Sequence, residues 1–179
     1  MHNHNSALEL VRPLSHDRDL LVAARLLSII NPQRIVELGA GNGDWLVYIA
    51  HQLANPQLEL IGYENFSWSF DSTWARDLDS LNQRILLLKS QLSIQSSISL
   101  HSTDIQDIPW DQEHLLGSID CLRIDCLNGN VGEILTVMRR VLPYTSDRCV
   151  FLVDDIVPNS VPNRYLAFME LVKTQQLVP

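Results

Sequence analysis

Short runs of leucine and β-branched residues alternate along this chain with longer stretches in which apolar residues recur every three or four positions. That alternation is the written form of a parallel sheet whose strands are joined by crossover helices. Strands are expected over residues 34–38, 58–63, 98–101, 119–124 and 149–153, with helices near 43–54, 71–92, 131–142 and 163–175. An earlier helix opens at Ser15, an N-cap hydroxyl followed by acids, carries Leu20, Leu21, Ala24, Leu27 and Ile30, and stops at Pro32. Leu78, Leu81, Ile85, Leu88 and Leu92 fall on one helical stripe, which should face the sheet. Strand one (Ile35, Val36, Leu38) and strand five (Val150, Phe151, Leu152, Val153) are nearly unbroken apolar runs, as expected of strands covered on both faces.

Composition narrows the class. The 179 residues are 46% hydrophobic and 19% charged, and a chain of about 150 residues can bury roughly 70% of its unfolded surface without disulfide or metal staples. With 13 basic and 21 acidic side chains the net charge is −8. Lys89 and Lys173 are the only lysines and the arginines are scattered, so no nucleic-acid partner is expected. The apolar stretches fall short of the ~18–20 residues that span a bilayer, and the first residues have neither the basic leader nor the apolar run of a signal peptide. Cys121, Cys126 and Cys149 are an odd count, and Cys121 and Cys149 sit in apolar runs that suit small buried side chains in a reducing cytoplasm.

The chemistry is concentrated in Ile35-Val36-Glu37-Leu38-Gly39-Ala40-Gly41-Asn42-Gly43-Asp44-Trp45, a strand ending in an acid and a glycine turn before a helix. Such a turn lets a ligand approach the backbone closely. A dinucleotide site uses G-x-G-x-x-G with the diphosphate at the helix N-terminus. Here the third glycine comes one residue early, Asp44 stands in its place, and Glu37 would face a diphosphate, so a nucleotide-binding oxidoreductase is disfavoured.

A ligand with a positive end is favoured instead, and Glu-x-Gly-x-Gly-x-Gly resembles the first motif of class I S-adenosylmethionine-dependent methyltransferases. The resemblance implies an α/β, Rossmann-like fold: a mostly parallel sheet of about five strands, order 3-2-1-4-5, with helices on both faces. It implies that Glu37 reaches the methionine ammonium and that Gly39, Gly41 and Gly43 pass beneath the cofactor, with Trp45 bordering its methionine part or serving the core. Glu64 ends the second strand and would take the ribose hydroxyls, a task suited to two carboxylate oxygens. Asp104 and Ile105 follow the third strand, where the family meets the adenine amino group and ring.

Strand four runs into Asp125 and strand five into Asp154 and Asp155. Such convergent carboxylates suit Mg²⁺, and the arrangement is similar to the metal-dependent sugar O-methyltransferases of the macrocin type. The implied mechanism has Mg²⁺, held by Asp125, Asp154 and Asp155, binding neighbouring hydroxyls of a small-molecule acceptor, with Asp125 as possible base. The family's Asp-Gly-Asp reads Asp125-Cys126-Leu127 here, with Asn128 nearby, so these acids are equally read as strand-end caps. His101 is a second candidate base or a structural histidine. Phe66, Trp68, Phe70 and Trp74 either wall a pocket or pack under a loop.

One domain is expected over residues 1–179: a flexible leader 1–14, an N-terminal helix 15–31, a cofactor-binding core 32–155, and a loop and helix 156–179. The family's closing strand hairpin has no counterpart after Asp155. Strand five is therefore expected as an edge covered by a second copy, a partner, a further domain, or the helix from Arg164. The alternative to an enzyme is a non-catalytic methyltransferase-like module acting as a partner or scaffold.

Overall fold

The apolar runs form all five expected strands in a computed structural model that describes residues 18–67, 77–110, 117–126, 130–154 and 162–174. The strands are β1 (Arg34–Leu38), β2 (Glu59–Glu64), β3 (Ser97–Ser102), β4 (Ile119–Ile124) and β5 (Thr145–Val153). They pair in the order β3-β2-β1-β4-β5, every pair parallel, which is the order the resemblance implies. The helices are α1 (Arg18–Ile30), α2 (Asp44–Leu53), α3 (Leu78–Leu92), α4 (Val131–Val141) and α5 (Pro162–Lys173).

Because neighbouring residues of a strand point to opposite faces, β1 feeds two separate cores. Ile35 joins Leu60 and Cys121 beneath α1, α2 and α3, where Leu27, Leu46, Ile49, Leu81, Ile85 and Leu88 are buried. Val36 and Leu38 join Ile61, Leu122 and Ile124 beneath α4 and α5, where Ile134, Met138, Val141, Phe168 and Leu171 are buried. The stripe read on α3 does face the sheet, apart from half-buried Leu78. On α1, Leu20, Ala24 and Leu27 are buried whereas Leu21 is exposed.

Two element starts differ from the sequence expectation by about four residues or more. The third helix starts at Leu78 because Asp77, in extended conformation, caps it and exchanges bonds with Ser80; residues 68–76 lie outside the described chain. β5 starts at Thr145 because Thr145 pairs with Ile119, residues 146–149 being taken up in a register shift against β4 between Ile119 and Cys121 that hydropathy does not encode. Between β3 and β4, where the sequence predicts no helix, a short 3-10 turn (Ile105–Asp107) stands among the described residues. Buried Ile108 and Trp110 fill that part of the second core, with the Trp110 ring centroid 5.8 Å from Tyr63 and 5.7 Å from Tyr144.

The helix from Arg164 packs beside α4 on the second face. Buried Arg164 anchors it, donating from Nη1 to the carbonyl of Asp154 at 2.6 Å. Among the described residues β3 and β5 are the two end strands of the sheet. No helix among the described residues is long and apolar enough to cross a membrane.

Candidate functional site

The carboxyl ends of β1, β2, β3 and β4 meet around a cavity of about 280 Å³. The turn leaving β1 is shaped by backbone conformations that side chains resist: Gly39 has φ +85° and Gly43 φ +71°. A Cβ on Gly39 would stand 2.6 Å from the Cβ of Cys126, so the glycine lets the end of β4 close against the turn. A Cβ on Gly43 would overlap the Ile85 side chain, so this third glycine seats α2 on α3. The Gly39 and Ala40 N–H groups both donate to the carbonyl of Tyr63, at 2.9 and 3.0 Å. Asp44, in the first turn of α2, pairs with Arg84 of α3.

Glu37 is fully buried at the end of β1. Strand register sets it beside Arg123 of β4, whose Nη1 donates to Glu37 Oε1. Burial pushes the Glu37 carboxyl up to about 8; Arg123 pulls the other way, while Asp125 and Glu64 add to the rise. Oε2 of Glu37 is buried with no hydrogen-bond donor among the described residues. An orphaned buried carboxylate oxygen is costly unless a donor arrives, so Glu37 fits a ligand that brings an N–H.

Arg123 also reaches the other two strand ends. Its Nη2 donates to Asp125 Oδ2 at 3.2 Å and to Asp154 Oδ2 at 2.6 Å, and its guanidinium lies 5.2 Å from the centroid of the buried Trp45 ring. Among the described residues no three His, Cys, Asp or Glu side chains form a group that could hold a metal ion; Asp155 lies outside them. As arranged, Asp125 and Asp154 do not fit Mg²⁺. A divalent ion about 4 Å from the guanidinium would be repelled by roughly 8 kcal/mol at an effective dielectric of 20, and the guanidinium already offsets the negative charge of both carboxylates that would attract it.

Gly39, Glu64, Asp104 and Ile105 line the cavity together, whereas Glu37, Gly41, Gly43, Trp45, His101, Asp125 and Asp154 are not in its wall. The His101 ring is stacked on Tyr63 with centroids 5.0 Å apart. Glu64 accepts three backbone N–H groups: Gly41 on Oε2 at 2.8 Å, and Asn65 and Phe66 on Oε1 at 3.0 Å each. Asp104 accepts from Gln106 N–H at 3.0 Å and from the Asn65 side chain at 3.1 Å. The half-buried Phe66 packs against the first core; Trp68, Phe70 and Trp74 lie outside the described residues.

Among the lining groups that the sequence did not mark as site residues are a thiol and a carboxylate. Cys126, in the family's glycine position, forms part of the cavity wall, and so does Glu133, which also exchanges capping bonds with Asn130 at the start of α4. The role of Arg123 was missed as well, although a charge between Leu122 and Ile124 in a buried strand was its signal. A larger hollow of about 680 Å³ opens at the opposite sheet edge. Its charges serve the fold: Arg34 pairs with Glu59, and Asp120 accepts from the backbone of Gln33 and Arg34 and from Ser146.

No family model matches the chain, and no curated protein matches it in sequence. Solved structures do match in fold. CalS11, the TDP-rhamnose 3′-O-methyltransferase of calicheamicin biosynthesis, aligns with a TM-score of 0.66 at 17% identity over 98% of this chain and 82% of its own. The O-methyltransferase TomG of Streptomyces achromogenes, involved in tomaymycin synthesis, aligns at 0.61 and 15% over 97% and 78%. A methyltransferase from Geobacter sulfurreducens aligns at 0.59 and 15% over 95% and 80%. With its strand order and flanking helices, the chain has the Rossmann-like class I methyltransferase fold.

Proposed function

We propose that the chain is an S-adenosylmethionine-dependent methyltransferase acting on a hydroxyl of a small molecule, sugar hydroxyls included. The observation that carries this reading is the cavity at the carboxyl edge, whose wall Gly39, Glu64, Asp104 and Ile105 share; Glu37, two residues before Gly39 on the same strand end, adds a buried Oε2 with no donor among the described residues. Ligands of open α/β sheets bind at this edge. TomG and CalS11 are O-methyltransferases by name, which supports oxygen as the acceptor atom.

When bound, S-adenosylmethionine supplies a methyl group on a positively charged sulfur. Glu37 accepts from the ammonium end through Oε2, and Gly39 and Gly41 leave the backbone open to close approach while Gly43 fixes α2. Trp45, already against Arg123, borders the methionine side. Glu64 offers the ribose hydroxyls its remaining acceptor capacity, Asp104 meets the adenine amino group, and Ile105 lies against the ring. Asp125, whose side chain is 35% exposed, takes the proton of the acceptor hydroxyl. His101 could serve as base only by leaving its stack on Tyr63. A magnesium site of Asp125, Asp154 and Asp155 would require Arg123 to release two carboxylates.

The three free thiols suit a reducing cytoplasm. Isothermal calorimetry with S-adenosylhomocysteine tests the reading: saturable binding is expected, weakened about tenfold or more by Glu37→Ala, the loss of one charge-assisted hydrogen bond. Glu64 favours a second reading, because three of its acceptor positions already hold backbone amides. In that reading the chain is a non-catalytic module whose terminal strand β5 pairs with a second copy or another protein. Failure to bind S-adenosylhomocysteine would sink the enzyme and leave the module, whose self-association light scattering would detect.

A further inference from the structure

We infer that Arg123 is the site's own cation, standing between Asp125 and Asp154 where a divalent ion would otherwise be held, so that the acceptor is bound without chelation by metal. The inference deepens the methyltransferase reading and rests on it only for that catalytic consequence.

Arg123 is not a mobile surface arginine. β4 is hydrogen-bonded on both sides, and register sets Arg123 directly between Glu37 of β1 and Leu152 of β5. Its side chain is 13% exposed. One nitrogen serves Glu37, the other is shared by Asp125 Oδ2 and Asp154 Oδ2, and the plane lies near Trp45. Mg²⁺ bonds carboxylate oxygens at about 2.0–2.1 Å with near-octahedral geometry, and the guanidinium already holds one oxygen of each of these carboxylates, with its charge lying between them. A planar fork of donors, always charged, can hold carboxylates from three adjacent strand ends as a hydrated ion would. It does so permanently, because the cation is covalently part of β4. Arg123 therefore acts as a positioning residue for Asp125. An acceptor with a single hydroxyl is admissible, since two neighbouring oxygens are no longer needed to grip a metal.

The test is a titration of Mn²⁺ alone, followed by electron paramagnetic resonance of the free ion, into the full chain and into Arg123→Met. The unaltered chain is expected to leave Mn²⁺ free up to about 1 mM, the weak end of oxygen-ligand sites. Arg123→Met, with the length kept and the charge removed, is expected to bind Mn²⁺ at least about tenfold more tightly and to lose that gain when Asp154→Asn is added. If Arg123→Met folds only when Mn²⁺ is supplied, that rescue supports the inference; if Mn²⁺ does not rescue it, the inference fails. Two further outcomes overturn it: Mn²⁺ binding by the unaltered chain below about 0.1 mM that Asp154→Asn abolishes, or a folded Arg123→Met that binds no Mn²⁺. Absence of S-adenosylhomocysteine binding would instead defeat the methyltransferase reading and leave the metal result standing.

Discussion

The carboxylate of Glu64, at the end of β2, accepts the backbone N–H of Gly41 at 2.8 Å, so the second strand holds the glycine turn that follows the first. The same side chain takes the N–H groups of Asn65 and Phe66. Removing it in Glu64→Ala strands donors at part-buried Gly41 and Phe66, while the exposed Asn65 N–H can turn to water. Orphaned donors cost about 1–3 kcal/mol each, so a loss of roughly 2–6 kcal/mol is expected in urea denaturation. Glu64→Gln, which keeps one acceptor oxygen, should lose less than half of that.

The Glu37 carboxyl, held up at about 8 by burial against an ordinary 4.5, makes stability depend on pH. Between those values the folded chain holds a proton that the unfolded chain has released. Its stabilising share is therefore whole below about pH 4.5 and is lost as pH rises through about 8, with a slope of up to about 1.4 kcal/mol per pH unit. Urea denaturation across this range should show that slope in the native chain and its disappearance in Glu37→Gln. The ammonium of S-adenosylhomocysteine favours the ionised carboxylate, so its binding near neutral pH should release a proton. Calorimetry in buffers of different ionisation enthalpy reads that release directly.

Gly39→Ala combines a disfavoured backbone conformation with a Cβ that would stand 2.6 Å from the Cβ of Cys126. Left-handed backbone costs about 1–2 kcal/mol and overpacking about 1–3 kcal/mol, so a loss of roughly 2–5 kcal/mol is expected. Cys126→Gly removes the opposing atom. In a double-mutant cycle the pair should recover the overpacking share but not the backbone share, and strictly additive losses would exclude the contact as the cause.

Burial pushes all three thiols up: Cys149 to about 12, and Cys121 and Cys126 well above their ordinary value. Thiolate is the reactive form. Iodoacetamide at neutral pH is therefore expected to label none of them in the folded chain and all three in denaturant, with intact-mass spectrometry as the readout. Rapid labelling of Cys126 in the folded chain would mean that the cavity wall opens.

The strands and their order were readable because β1, β2 and β4 are buried runs of the type parallel sheets require, and the acids at or just after the ends of β1, β2 and β3 stand in chain order. The start of β5 was not, since residues 145–148 are polar and join the sheet only through a register shift. Nor was the filling between β3 and β4, which depends on Trp110 meeting Tyr63 and Tyr144 in space. Glu37, Asp125 and Asp154 were singled out as carboxylates. Their common partner escaped because Arg123 lies far from Glu37 along the chain and becomes its neighbour only when β1 pairs with β4.

That pairing has a consequence for how the chain is made. During synthesis β1, β2 and β3 emerge in succession and can pair as they appear, but the other side of β1 waits for β4, and Arg123 meets Glu37 across a separation of 86 residues. Until then Glu37 stands in water as an ordinary ionised acid on an unpaired strand edge. The arrival of β4 takes away its solvent and delivers its counter-charge together, so a ribosome-bound fragment ending before β4 keeps this edge open and acidic, and one ending after β4 can close it.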